Sequence, residues 1–462
     1  MNDTLISSAV AAVSTPFGRG GISVIRVSGD NAVAVCEAVF VPGSGKPLSL
    51  LEPNRTVWGR IYAEGEPIDD GMAVVFRAPR SFTGEDTVEI SCHGGILLTK
   101  KVLEAVFAAG AAPAGPGEFT KRAFLNGKLG LSQAEAIIDL IDAESTEKIR
   151  MAGAAARGVL SRTCEEIYTL LKNAVTSTYA FIDFPDEDLT DMTTDELSAA
   201  VSEARERLTR LAASYKVGKA VNEGIRTAIV GKPNTGKSSL LNALTGEERA
   251  IVTDVAGTTR DVIEESVVIG RVVLRLADTA GIHDTADTVE KLGVARSLKA
   301  AEQAELVIAV FDGSRPFDED DKALAETLRA LSCPVIAVSN KADLPVCADP
   351  ASLGVPFAKI LSVSAQKGEG LDMLCETIET LFVGGEIDYQ TEGVIANARQ
   401  YAAVQTALSH TERALEALQS GYTQDIAGMD LELALAALGE LDGRAVSGDI
   451  VDSIFHNFCV GK

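Results

Sequence analysis

The chain has 462 residues, enough for about three domains. Its formal charge of −24, from 66 acidic against 42 basic residues, excludes a broadly basic surface, so any contact with RNA needs a local patch or a basic partner. No apolar stretch reaches the roughly 18 residues of a membrane span, and Met1–Pro16 lacks the basic region of a signal peptide, so the expectation is a cytoplasmic protein with no membrane contact. The seven cysteines form no CxxC pair and the four histidines stand apart, which argues against disulfides and a structural zinc.

In chain order, residues 1–125 alternate β-like runs (Ile22–Val27, Met72–Phe76, Thr87–Ile90) with Gly and Pro. Pro16-Phe17-Gly18-Arg19-Gly20-Gly21 is read as a tight turn, since it lacks the lysine and following helix of a nucleotide loop.

Residues 126–222 turn helical. Ser132-Gln133-Ala134-Glu135 reads as a capping box opening a helix with Ala134, Ile137, Ile138 and Ile141 on its inner face. Ile167, Leu170, Leu171, Ala174 and Val175 continue the spacing until Phe184-Pro185. A second box, Thr193 to Glu196, opens a helix with Leu197, Val201, Leu208 and Leu211 inward. After the next domain, helical stripes resume in 385–462: Val404, Leu408, Leu415 and Leu418, then Leu431, Leu435 and Leu438. Helices on both sides of residues 223–384 predict that this middle domain is inserted into a helical one.

The middle domain carries the chemistry. Gly231-Lys232-Pro233-Asn234-Thr235-Gly236-Lys237-Ser238 is a GxxxxGK[ST] phosphate loop between the strand-like run Ile225–Val230 and the helix-like run Ser238–Leu244. Its backbone N–H groups must curl around phosphates, so Gly231 and Gly236 are expected in conformations closed to a residue with Cβ. Lys237 would reach the outer phosphates and Ser238 would offer its hydroxyl to Mg²⁺, with Ser239 following on a helix whose positive end faces the anion. Gly257-Thr258-Thr259-Arg260-Asp261 reads as switch I, with Thr259 completing the Mg²⁺ shell, and Asp278-Thr279-Ala280-Gly281 as switch II. Asn340-Lys341-Ala342-Asp343 follows the run Val335–Val338, and the Asp343 carboxylate suits the N1 and N2 donors of guanine. Ser364-Ala365-Gln366, after Ile360–Val363, would meet the guanine oxygen. Ile282 stands where small GTPases place the water-orienting glutamine, so another group must orient the water. Asn234 offers an amide oxygen to a monovalent cation, which would act in place of an arginine finger.

Gly18-Arg19-Gly20-Gly21, Ser81-Phe82-Thr83-Gly84-Glu85-Asp86, His93-Gly94-Gly95, Pro116-Gly117-Glu118-Phe119, Arg122-Ala123-Phe124-Leu125-Asn126 and the terminal Phe458-Cys459-Val460-Gly461-Lys462, arranged around an inserted G domain, resemble the MnmE (TrmE) family of tRNA-modification GTPases. The resemblance covers the whole chain and implies a multidomain α/β fold: a Ras-like P-loop G domain (223–384) inserted into an α-helical domain (126–222 and 385–462), preceded by an α+β tetrahydrofolate-binding and dimerising domain (1–125). It implies a homodimer and a flavoprotein partner, MnmG (GidA), that carries FAD. Together they would add a carboxymethylaminomethyl or aminomethyl group at carbon 5 of the wobble uridine (U34) of certain tRNAs, with a one-carbon unit from a 5-formyl or methylene tetrahydrofolate.

Matched residue by residue, Asn234, Thr253, Val255 (by its carbonyl) and Thr258 resemble a K⁺ site, Ser238 and Thr259 the Mg²⁺ ligands, and Glu290 the glutamate that positions the water, with Lys237 the other catalytic group. Asp254, Ala256 and Gly257 complete the nucleotide-binding stretch. Arg26, Glu89, Lys128 and Lys462 resemble the folate ligands: a carboxylate suits the donor edge of a pterin, and Arg and Lys its glutamate tail. Cys459 is read either as a nucleophile or as a structural thiol, and His283 departs from the arginine usual in switch II. The rival reading is a regulatory GTPase of ribosome assembly, which shares the G-domain motifs.

Overall fold

The computed structural model describes residues 8–183, 193–246, 265–276, 300–384, 388–420, 424–444, 446–456 and 458–461. The chain divides into two compact units, one formed by Met1–Ile138 with Leu438–Lys462 and the other by Asp139–Ala437.

The first unit is built on a seven-stranded sheet of β1 (Val10–Val13), β2 (Ile22–Ser28), β3 (Phe40–Pro42), β4 (Val57–Ala63), β5 (Glu66–Phe76), β6 (Thr87–His93) and β7 (Ala112–Pro113) in the order β3-β4-β5-β6-β2-β1-β7. Every pairing is antiparallel except β1 with β7. Period-two alternation sends Ile25, Val27, Val88, Ile90, Ala73 and Val75 to one face, where they form a core with Val33, Val35, Val102 and Val106 of helices Ala32–Glu37 and Ile96–Ala108. The opposite face carries Arg26 and Glu89, direct cross-strand partners, and part of it is covered by Phe119 from helix Glu118–Leu125. A second, aromatic core joins Phe124 and Leu131 to Val451, Phe455 and Phe458 from the far end of the chain.

The second unit contains a six-stranded sheet of β8 (Ile225–Val230), β9 (Glu265–Ile269), β10 (Val272–Leu276), β11 (Leu306–Asp312), β12 (Val335–Asn340) and β13 (Lys359–Val363) in the order β13-β12-β11-β8-β10-β9. Only β9 runs antiparallel to its neighbour. All seven residues of β11 are buried, as expected of a parallel strand covered on both faces. The same unit holds a helical bundle: Thr194–Ala213 packs on both Val159–Asp183 and Ala398–Gln419. Segments before and after the G domain thus share one bundle, and the fold is the multidomain α/β arrangement with an inserted Ras-like G domain.

Three local expectations are corrected. The helix predicted from Ser132 begins at Leu131. Gln133 rather than Ser132 serves the end, its Oε1 accepting from the Gly130 N–H at 2.9 Å, while Ser132 donates to Asp442 at 3.0 Å. Ile141 is 45% exposed instead of inward, and Ala136 is buried in the same helix. Pro16–Gly21 is not a tight turn; it belongs to an exposed loop between β1 and β2, held where the Gly20 N–H donates to the Gly94 carbonyl at 2.9 Å. The capping box of Thr193 and Glu196 is present as read, and Leu197, Val201, Leu208 and Leu211 are buried.

Candidate functional site: a guanine-nucleotide cradle

The parallel sheet brings three sequence motifs to one edge, because each follows the carboxyl end of a parallel strand. The phosphate loop follows β8, which lies between β10 and β11 where the strand order reverses; Asn340–Asp343 follows β12, and Ser364–Gln366 follows β13. This is the position at which open α/β sheets bind ligands.

Backbone geometry in the phosphate loop agrees with its composition. Gly236 is left-handed (φ +93°) at the N-cap of helix Lys237–Thr245, and a Cβ there would come within 2.2 Å of Asn340 Nδ2. At Gly231 a Cβ would meet the Val310 carbonyl oxygen at 2.4 Å. Asn234 is left-handed too (φ +64°) and exposed. Buried Thr235 donates to the Lys232 carbonyl at 2.9 Å, and the Lys237 ammonium donates to the same oxygen at 2.8 Å. The loop is therefore cinched on itself, with Ser238 half-buried in the first helical turn and Ser239 exposed. A helix end with a glycine-shaped cradle in front of it fits a phosphate chain. Mg²⁺ would be held through the Ser238 hydroxyl and would neutralise charge on the outer phosphates.

The Asn340–Asp343 turn is tied directly to this loop. Asn340, buried at the end of β12, donates from Nδ2 to the Thr235 carbonyl at 2.9 Å and accepts on Oδ1 from the Ala365 N–H at 3.0 Å. One side chain thus locks three motifs in register. Lys341 takes a left-handed φ of +65° and donates to Asp312 at 2.7 Å. Burial opposes charge on Asp312, but Lys341 and Ser314 outweigh it and hold the carboxyl below its ordinary range. Asp343 accepts from the Ser364 hydroxyl at 2.7 Å, and this bond, with the backbone and Lys367 behind it, lowers its pKa. Asp343 is accordingly an anion at neutral pH, suited to two N–H donors of guanine. Gln366 is exposed.

Sequence reasoning missed the second anchor of the loop. Lys232 is ion-paired with Asp318 and, at 3.0 Å, with buried Asp321. The hydrogen bond from Lys232 takes the Asp318 carboxyl down to about 2. Asp318 and Asp321 form a capping box on helix Glu319–Arg329. The spacing of that box was visible in the sequence; its pairing with a lysine 86 residues earlier was not.

Thr253, Asp254, Val255, Ala256, Gly257, Thr258, Thr259, Asp278, Thr279, Ala280, Gly281 and Glu290, with Ile282 and His283, lie outside the described residues, as does Lys462. In the first unit Arg26 and Glu89 are brought together: Arg26 Nε donates to Glu89 Oε1 at 2.9 Å, and Nη2 is ion-paired with the same oxygen at 2.8 Å. Lys128 donates to the Pro79 carbonyl at 2.8 Å, in the loop that follows β5. Cys459 is exposed, and its carbonyl accepts from the Gly117 N–H at 3.3 Å.

Comparison with known proteins agrees with this arrangement. Residues 9–128 match the family "GTP-binding protein TrmE N-terminus" and residues 131–459 match "MnmE helical domain". The tRNA modification GTPase MnmE of Geobacter sulfurreducens is 42% identical over 464 aligned positions, covering 99% of this chain and 100% of that protein. The MnmE proteins of Lachnoclostridium phytofermentans and Moorella thermoacetica are 41% and 40% identical, again over 99% of this chain and 100% of theirs.

The chain belongs to the MnmE family of tRNA-modification GTPases. As an MnmE-family protein it is a GTP hydrolase that uses Mg²⁺ with its nucleotide, and the cradle above is the candidate site for that nucleotide. Among the described residues no helix is long and apolar enough to cross a membrane.

Proposed function

We propose that this protein is a K⁺-activated GTPase which, with a flavoprotein partner of the MnmG type carrying FAD, adds a carboxymethylaminomethyl or aminomethyl group to carbon 5 of U34 in certain tRNAs. The observation that carries the reading is the coexistence, in one MnmE-family chain, of a guanine cradle locked by Asn340 and an Arg26–Glu89 pair on the partly covered face of the N-terminal sheet.

In the cradle, this chain's residues would act as follows. Asp343 selects guanine, Asn340 keeps the base-reading and phosphate loops in register, and Lys237 turns from the Lys232 carbonyl to the outer phosphates. Asn234, with Thr253, Val255 and Thr258, would hold K⁺, whose charge would do the work of an arginine finger. Thr259 would join Ser238 on Mg²⁺. Glu290 would orient the attacking water, a task closed to Ile282.

In the first unit, Glu89 and Arg26 would hold a 5-formyl or methylene tetrahydrofolate, with Lys128 and Lys462 on its glutamate tail. Glu89 fits this role because its Oε2 accepts no hydrogen bond among the described residues while Oε1 is held by Arg26, leaving one oxygen for a pterin donor. The working form would be a cytoplasmic homodimer. A charge of −24 makes a basic partner the natural carrier of the tRNA surface.

The deciding experiment is mass-spectrometric nucleoside analysis of tRNA from cells lacking this chain. Loss of the carbon-5 modified wobble uridine, restored by the intact gene, is the expected result. Unmodified levels unchanged, with ribosomal precursors accumulating, would replace this reading by the assembly GTPase.

A further inference from the structure

The loop between β5 and β6 alternates buried polar residues with an outward phenyl ring. Ser81, Thr83 and Glu85 are 9%, 0% and 9% exposed, whereas Phe82 is 39% exposed. The buried members are fastened from several sides. Arg122 Nη1 donates to both Glu85 oxygens at 3.2 and 3.1 Å, and Ser28 donates to Glu85 at 2.9 Å. Thr83 lies 2.7 Å from the Ser28 hydroxyl, and its carbonyl accepts from Asn126 at 2.8 Å. Ser81 donates to the Glu85 carbonyl at 2.5 Å.

A buried ion pair is weak evidence for stability, because desolvation offsets much of its attraction. Its effect here is geometric: it fixes the backbone on either side of Phe82. The Phe82 ring centroid is 5.5 Å from the Arg26 guanidinium carbon, and that of Phe119, which is fully buried, is 5.4 Å from it. Arg26 is therefore held at its edge by Glu89 and by two aromatic rings, one immovable in the core and one delivered by the loop. Cation–π contacts constrain the planar guanidinium in a way a flexible ammonium or an aliphatic neighbour would not.

We infer that Phe82 is a positioning residue for the folate site: it holds the Arg26 guanidinium in the orientation that leaves Glu89 Oε2 presented to the ligand, and the Arg122–Glu85 pair holds Phe82. This rests on the reading of Arg26 and Glu89 as folate ligands. The test is isothermal titration of 5-formyltetrahydrofolate into the full-length protein and its Phe82→Ala, Phe82→Leu and Phe82→Tyr variants, with GTP turnover measured on each. Ala and Leu are expected to weaken binding about ten-fold and Tyr by no more than about threefold, with turnover unchanged in all three. Wild-type affinity in Phe82→Leu would reduce the ring to apolar cover, and a Tyr variant as weak as Leu would also overturn the inference. Glu89→Ala separates the two levels: undiminished binding there removes the folate reading itself, whereas loss there with normal Phe82→Ala binding removes only the role of Phe82.

Discussion

The two sheets solve the problem of presenting polar groups in opposite ways. In the G domain the central strand β11 is buried on both faces, and the chemistry stands on the turns beyond the strands' carboxyl ends, where Gly236, Asn234 and Lys341 take left-handed conformations. In the N-terminal sheet the strands themselves present the chemistry: Arg26 and Glu89 are paired across β2 and β6 on a face only partly covered. A site on turns is made from a few short contiguous runs and can move with its loops. One on a sheet face is made from residues 63 apart in sequence, rigid in the plane and shaped by whatever lies above it.

That contrast can be broken by experiment. The largest effect is expected at Asp343→Asn, where loss of two charge-assisted bonds to guanine should lower GTP affinity on the order of a thousandfold and favour xanthosine triphosphate. Competition binding with both nucleotides checks this, and folate binding should be untouched; unchanged GTP affinity would remove the guanine assignment. On the sheet side, Arg122→Met strands the Glu85 carboxylate in a buried place and should destabilise the first unit by about 3–5 kcal/mol. Calorimetry of the full chain with and without GTP identifies the unit, since nucleotide raises only the transition of the domain that binds it. A lowered GTP-sensitive transition would show that the two units do not respond independently.

A smaller effect separates the loop from its ion. Turnover in KCl should exceed that in NaCl by at least about ten-fold, and Asn234→Ala should abolish the difference; equal rates in the two salts would sink the potassium assignment. The smallest concerns protons. The Ser364 hydroxyl holds the Asp343 pKa down, so in the folded protein Asp343 stays ionised until the pH falls below the ordinary carboxylate range. Ser364→Ala lets the pKa rise, and guanosine diphosphate binding, followed by fluorescence between roughly pH 3.5 and 6, should then fail at a higher pH than in the wild type. Coincident profiles would mean that another group sets the Asp343 charge.

The same contrast explains what the sequence disclosed. Gly231–Ser238 and Asn340–Asp343 were legible because each is a short run whose backbone conformation is dictated by its own glycines and turn residues. Arg26 and Glu89 were legible only through family resemblance, since nothing local distinguishes a functional cross-strand pair from ordinary surface charges. Non-local partners stayed hidden for the same reason: Lys232 with Asp318, Arg122 with Glu85, and Lys341 with Asp312 each need the fold to meet. The misplaced cap at Ser132 has a different cause. Asp442, 310 residues away, claims the serine hydroxyl, and the tertiary bond overrides the local pattern.

The closing of the first unit on the end of the chain has a temporal consequence. Ser14 donates to the Gly461 carbonyl across 447 residues, Val460 bridges Pro116, and Phe455 and Phe458 complete the aromatic core. At roughly 5–20 residues per second, the ribosome delivers these pieces about 20 to 90 seconds after Ser14. During synthesis the first sheet must wait with its aromatic core open, while all of Asp139–Ala437 has already been made. The unit begun before Asp139–Ala437 is thus finished after it, and a nascent chain arrested short of Phe455 would present that core to chaperones.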